Sequence, residues 1–417
     1  MNQPASPFVE YREGGRPLIA GTLGVAFGSS SITYNVMPLV LGPVHNEFGW
    51  SYAEISLGFV VYGSVAAACA TLFGYLADKM GTRHIALGSL VAFAAVFCLF
   101  SALKPSLWMY YGIWVAMGLV AIGSSPVIWS RAICLWFVQR RGMALGLMLT
   151  GTSFAGLLVP QLTQLAIAAG GWRASFPVAA ALTVFVALPV CLLWFREPPH
   201  QTDQQVSVPA SEPAGVVFRV AVRDPRFWLM LLAVLLFSTA YGGAYIHIGE
   251  IVALHGYSSQ VAALVIGSAA IGILVGRVVI GLLFDYFWAP AVIFPAMLAG
   301  AISCLLLGID GQQISTLLVG GCLLGLSSGA ESDAIAYLVS RYFGMINYSR
   351  IYGALFMPYV IGASVSPLIY GIVRDQTGSY QLMLHVATGL FLLSGIVLFC
   401  LGRYPVLIGT DAHADCI

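Results

Sequence analysis

An all-α membrane protein, with twelve transmembrane helices in two pseudo-symmetric six-helix bundles, is the fold class that three observations predict. The first is composition. The 417 residues are 59% hydrophobic and 8% charged, where a soluble protein carries about 25% charged residues. The second is length, since the apolar runs provide twelve helices of roughly 20 residues. The third is an internal echo. Gly74 recurs as Gly281, Asp78 as Asp285, Gly118 as Gly325, Gly146 as Gly353, Pro160 as Pro367 and Gly171 as Gly378. Tyr34 recurs as Tyr241 and Trp50-Ser51 as Tyr257-Ser258, every pair 207 positions apart.

Turn, aromatic and helix-packing residues repeated at one gapless spacing imply two halves in the same order and sense. Parallel halves of this kind belong to carriers that rock about a central site. Spans are expected near 18–41, 54–77, 85–103, 108–131, 142–168 and 174–195. The second set is expected near 227–250, 260–283, 291–309, 314–338, 352–373 and 382–401. The domains then read as a tail (1–17), a first bundle (18–196), a linker (197–226), a second bundle (227–402) and a tail (403–417). Within the linker, the run around Pro198-Pro199 and Pro209 to Pro213 reads as flexible, and Arg219 to Phe227 as an interfacial stretch.

Orientation follows from the basic residues. With an even number of spans both termini share a side. Placing that side in the cytoplasm puts thirteen of the eighteen Lys and Arg there and leaves Lys104, Arg173 and Arg374 outside. The expected location is a multi-pass position in the cell (plasma or inner) membrane with both termini cytoplasmic. No signal peptide is expected ahead of the first run. The net charge of +1 suggests no nucleic-acid partner. The eight cysteines are scattered without a CxxC, so they read as packing residues and neither a disulfide framework nor a metal site is expected. No GxxxxGK[ST] loop is present, so no ATP site and no cofactor are expected.

The charged hairpin Gly74-Tyr75-Leu76-Ala77-Asp78-Lys79-Met80-Gly81-Thr82-Arg83, between spans two and three, resembles the loop signature of the major facilitator superfamily. With the half-repeat and the central linker, the resemblance covers essentially the whole chain. It implies the major facilitator fold, a monomeric functional unit, a small-molecule substrate and a bilayer. Two stretches narrow the resemblance. Trp136-Phe137-Val138-Gln139-Arg140-Arg141-Gly142-Met143-Ala144-Leu145-Gly146-Leu147, with Gly151 and Gly156, is similar to the fifth-span motif of the monocarboxylate transporters. Gly276-Arg277-Val278-Val279-Ile280-Gly281 is similar to the eighth-span arginine segment that they share with the oxalate–formate antiporter. In both groups that arginine pairs with the substrate carboxylate, which places the role on Arg277. The chain also departs from these families. The acidic, glycine-rich opening of the first span is missing over Gly21 to Gly28. Asn35 stands where the first-span lysine would be, and Ile273 where an aspartate precedes the arginine. Tyr359 stands at the second cation of the oxalate carrier, which suits a monoanion better than a dianion.

Charge inside a bilayer costs a few kcal/mol, so each such residue is a functional candidate. Arg277 lies two turns before Asp285, near the middle of span eight, and its planar fork suits a carboxylate. The alternative is a buried pair with Glu331 or Asp333. Those two acids are two residues apart in span ten and point to nearly opposite sides, so one of them is expected to face a central cavity. Ionising a carboxyl there costs more than in water unless a cation offsets it, which suits a proton carrier. Arg131 reads as a helix-end arginine or a second substrate contact. Tyr241 and Tyr245 share a face of span seven, opposite Tyr34 and Asn35, and can hydrogen-bond an anion. His247 is a further coupling candidate, since imidazole changes charge nearest neutral pH. Gly74, Asp78, Lys79, Gly81, Arg83, Arg140, Arg141, Gly281, Asp285 and Arg341 form the expected gate set.

The function these readings favour is a secondary, proton-coupled carrier of a small monocarboxylate or similar organic anion. A same-fold exporter of drugs or other solutes is one rival. A transport-inactive membrane sensor is the other. No nucleophile or metal constellation points to an enzyme.

Overall fold

Twelve helical spans are what the chain builds in a computed structural model that describes residues 7–137, 141–196, 215–284, 286–309, 311, 313–344 and 347–405. The second, third and fifth spans are Tyr52–Met80, Thr82–Cys98 with a short 3₁₀ extension, and Arg141–Gly170. The fourth runs from Leu107–Ala121 through a 3₁₀ turn into Pro126–Trp136. The sixth is Trp172–Leu182 and Leu188–Trp194, joined by a π turn over Thr183–Ala187. Spans eight to twelve are Ser259–Phe284, Ala289–Gly308, Ile314–Tyr342, Tyr348–Thr377 and Gln381–Phe399. Among the described residues, eleven helices are long and apolar enough to cross a membrane.

The twelfth is the first span, which is longer than its apolar stretch suggested and is broken. It comprises Pro7–Ala26 and Ser29–Phe48. A Cβ on Gly28, at the break, would lie 2.5 Å from the Gly24 carbonyl and 2.6 Å from that of Ser124, so only glycine fits. Hydroxyls repair the interrupted ladder. Ser31 donates to the Val25 carbonyl at 2.6 Å and Thr183 to that of Phe27 at 2.8 Å. A broken span inside protein is tolerated where its freed backbone groups find such partners. The seventh span is interrupted too, at His247, between Pro225–Ile246 and Ile248–Leu254.

Apolar side chains gather into two cores. One runs from Leu18 to Phe195 and takes in Ile246; the other runs from Ala221 to Leu401 and takes in Leu39. The repeat acts on the backbone as well. Gly171 and Gly378, one repeat apart, both have positive φ at span ends (75° and 70°), and so do Gly49 and Gly256 (69° and 81°). L side chains rarely adopt that conformation.

Spans eight and ten meet along a glycine seam. A Cβ on Gly272 would lie 1.9 Å from the Cys322 carbonyl oxygen, and one on Gly325 1.8 Å from that of Ala269. Gly276 and Gly329 face Leu326 and Ile273 carbonyls in the same way, at 2.7 Å and 2.3 Å. Small residues spaced four apart are what bring two membrane helices into backbone contact. The seam matters for the site, because Arg277 follows Gly276 directly and Glu331 stands two places after Gly329.

Candidate functional site

Arg277 reaches out of the second core into the first. Its Nη1 donates to the Leu149 carbonyl at 2.5 Å and to Thr152 Oγ1 at 3.2 Å, both on the fifth span. Thr152 in turn donates to the same Leu149 carbonyl at 2.8 Å. The reach is short because Gly156 lets the fifth and eighth spans touch. A Cβ there would lie 2.6 Å from that of Ala270. The sixth span ends and the seventh begins at one face of the molecule, here called the linker face; spans two, eight and twelve begin at the opposite, far face. Counting along Ser259–Phe284, Arg277 lies about 27 Å from the far-face end and about 10 Å from the other. It is therefore on the linker side of mid-span, lower than the sequence suggested.

Three tyrosines from three spans come together near it. Tyr359 is within electrostatic reach of Glu331, Tyr241, Tyr34 and Arg277. Tyr241 hydrogen-bonds Ser328 and also feels Arg277 and Tyr34. Tyr241 stacks on Phe237 and Tyr245, and Tyr359 on Phe356. Among the described side chains, the arrangement is one permanent cation with tyrosines within its electrostatic reach, which can bind a single carboxylate with an apolar or polar tail.

Other predicted residues are engaged elsewhere. Tyr245 donates its hydroxyl to Asn35 Oδ1 at 2.9 Å, and Asn35 donates to the Ser31 carbonyl at 2.7 Å. Both are buried and bind the first span to the seventh. Glu331, 4% exposed, lines a small apolar cavity inside the second core with Met230, Val234, Ala334, Leu338 and Leu398. It is within electrostatic reach of Tyr359. His247 is fully buried and stands apart from Arg277. Its Nε2 lies 2.9 Å from the Pro367 carbonyl and its Nδ1 2.8 Å from the Tyr380 hydroxyl. A neutral ring donating from Nε2 and accepting at Nδ1 satisfies both.

In the gate set, Arg83 donates to the Leu192 carbonyl at 2.7 Å, at the end of the sixth span. Arg341 lies over the Tyr404 ring at 4.6 Å. Each thus contacts its own half. Gly81 takes φ 81° at the turn into the third span, and nothing lies within 4 Å of a Cβ on Gly281. Gly74, Asp78, Lys79, Arg131, Arg141 and Asp333 are placed only as helical backbone, their side chains lying outside the description. Arg140 and Asp285 lie outside the described residues.

Sequence reasoning missed a polar closure between the halves at the far face. The Asp375 carboxylate accepts the backbone N–H of Tyr52 at 2.9 Å and of Ala53 at 2.8 Å. It thereby caps the second span from the other half, where an anion is favoured. Tyr52 donates to Glu250 at 2.5 Å, and Ser56 sits 3.2 Å from His247. Gly249 packs on the Pro38 carbonyl and Gly371 on that of Tyr52. Nothing in sequence links Asp375 to residues more than 320 positions earlier.

Asp375→Ala removes this cap, worth about 1 kcal/mol. The expected result is a roughly fivefold shift toward far-face opening. The measurement is impermeant maleimide labelling of a Ser364→Cys reporter from that face, in a background without other cysteines. Unchanged labelling would show that the cap does not hold the closure.

The Major Facilitator Superfamily model matches residues 20–289. Monocarboxylate transporter 11 of Mus musculus is 24% identical over 390 residues, 90% of this chain and 85% of that protein. Its Homo sapiens counterpart is 25% identical over 413 residues, 94% and 82%. The MFS transporter asaE of Aspergillus flavus is 24% identical over 351 residues, 82% and 75%. In fold, the chain is similar to a bacterial homolog to the human lysosomal transporter Spinster in an inward-facing, occupied conformation. The TM-score is 0.69 at 17% identity, over 96% of this chain and 98% of that one.

Proposed function

The chain belongs to the Major Facilitator Superfamily, and from that premise we propose that it is a secondary carrier of a small monocarboxylate or similar organic anion. It is a multi-pass integral membrane protein of a transporter family, and its relatives include proteins named monocarboxylate transporters. The observation that carries the reading is Arg277, a permanent cation bridging the two halves beside Tyr241 and Tyr359. A guanidinium in a low-dielectric cleft attracts a carboxylate strongly and orients it through paired N–H donors. With Tyr359 in place of a second cation, the site neutralises one negative charge.

Transport follows from the same geometry. The far face is closed by the Asp375 cap and the Tyr52–Glu250 bond. Breaking these and closing the linker face presents Arg277 to the other side, as alternating access requires. In this proposal the basic-residue asymmetry puts the linker and both termini in the cytoplasm of a cell membrane, and the carrier works as a monomer.

Glu331 is the group proposed to carry the coupling proton. It is buried, lines an apolar cavity, and lies within electrostatic reach of Tyr359, which also feels the arginine. Glu331→Gln is expected to abolish accumulation of anion driven by a pH gradient in proteoliposomes, while sparing counterflow exchange. A variant that still concentrates the anion against its gradient would place the proton elsewhere.

A further inference from the structure

The oxygens that Arg277 meets on the fifth span resemble what it is proposed to bind. The Leu149 carbonyl and Thr152 Oγ1 both accept from Nη1, and the Thr152 proton is already directed at the Leu149 carbonyl. The hydroxyl lone pairs are thereby turned toward the guanidinium. Both oxygens occupy Nη1, so a carboxylate that takes the Nη1–Nη2 edge of the guanidinium must displace them.

We propose that Thr152, with the Leu149 carbonyl, is a cross-half docking site for Arg277 that competes with the substrate carboxylate. The proposal rests on the carboxylate reading of Arg277 and makes Thr152 a positioning residue. Its logic is electrostatic. Bringing the halves together over Nη1 donors that no oxygen accepts leaves charged N–H groups buried and unsatisfied, which is unfavourable. A carboxylate removes that cost when the carrier moves loaded. The fifth-span oxygens remove it when the carrier moves empty. The docking site therefore permits return of the unloaded carrier, and it sets how much carboxylate is needed to take the arginine over.

Two flux modes separate these steps, because exchange uses only the loaded carrier and net uptake also needs the empty one. The assay uses purified full-length protein in proteoliposomes with a labelled small monocarboxylate. Thr152→Val loses an acceptor to a charged donor. It is expected to lower the exchange KM and slow net uptake, each by roughly tenfold, with the maximal exchange rate nearly unchanged. Thr152→Ser, which keeps the hydroxyl, should behave as wild type. Thr152→Ala gives a second test if the valine variant does not fold.

A raised KM would make Thr152 a substrate contact and overturn the proposal. So would an unchanged KM, or equal loss of exchange and net uptake. Arg277→Ala is measured beside them. If it still exchanges the carboxylate saturably, the reading of Arg277 fails and the docking site with it. If it is inactive while Thr152→Val matches wild type, only the docking site fails.

Discussion

Arg277→Lys is expected to lower carboxylate uptake by about 30-fold or more, and Arg277→Ala to abolish it. Truncating one partner of a desolvated, hydrogen-bonded charge pair costs about 2–5 kcal/mol, and each 1.4 kcal/mol or so is tenfold. Lysine keeps the charge, so a site needing only positive potential would tolerate it. A single ammonium cannot serve a carboxylate with the parallel N–H pair of a guanidinium. It also cannot reproduce the contact with Leu149 and Thr152, which lie on another span. The check is saturable uptake into proteoliposomes, with thermal unfolding of the same samples to confirm that the variants fold. A lysine variant with wild-type uptake would reduce Arg277 to a generic charge.

Gly325→Val is expected to have the largest effect on the fold. The valine Cβ would begin 1.8 Å from the Ala269 carbonyl oxygen and 2.6 Å from its carbon. Both are backbone atoms that no rotamer change can move, so the eighth and tenth spans must separate. Overpacking of this kind costs about 3 kcal/mol at the upper end of its usual range. The separation also displaces Arg277 and Glu331, which the seam positions. Gly353→Ala is the matched control, since nothing lies within 4 Å of a Cβ there and alanine is the better helix former by about 1 kcal/mol. Thermal unfolding in detergent should show a clear fall for the first and no loss for the second. Equal melting temperatures would mean that the seam is not in tight contact.

These two residues mark what the sequence could say. The spans were legible because apolar length is a local property. Of the seam, the sequence offered only Gly325 as a helix-packing glycine of the repeat; that Gly272, Gly276, Gly325 and Gly329 join the eighth span to the tenth depends on distant pairs that local spacing does not reveal. The 207-residue repeat reaches backbone conformation, as the paired Gly171 and Gly378 demonstrate. Arg277 stood out because a charge in an apolar run is costly wherever it falls.

What escaped depends on distant pairs. Asp375 and the start of the second span meet only because two halves close on each other. Thr152 is an ordinary helix threonine until an arginine from the eighth span reaches it. His247 looked like a coupling group beside Tyr241 and Tyr245. One break in the seventh span turns it toward Ser56, Tyr380 and Pro367 at the closed face. Tyr245 shared a helix face with Tyr241, as expected, but its hydroxyl is spent on Asn35 across the interface. The broken first span went unseen because Ser31 beside the break and Thr183, far along the chain, donate to the carbonyls it frees.

The central claim is that Arg277 holds the carboxylate of a transported anion. Its most direct test is competition for uptake of a labelled small monocarboxylate by the same acid unlabelled and by its neutral carboxamide. The carboxamide keeps the shape and removes the charge. The account predicts that the acid competes and the amide does not, and that Arg277→Ala loses the acid-sensitive uptake. Equal competition by the amide, or acid-sensitive uptake surviving in Arg277→Ala, would contradict it.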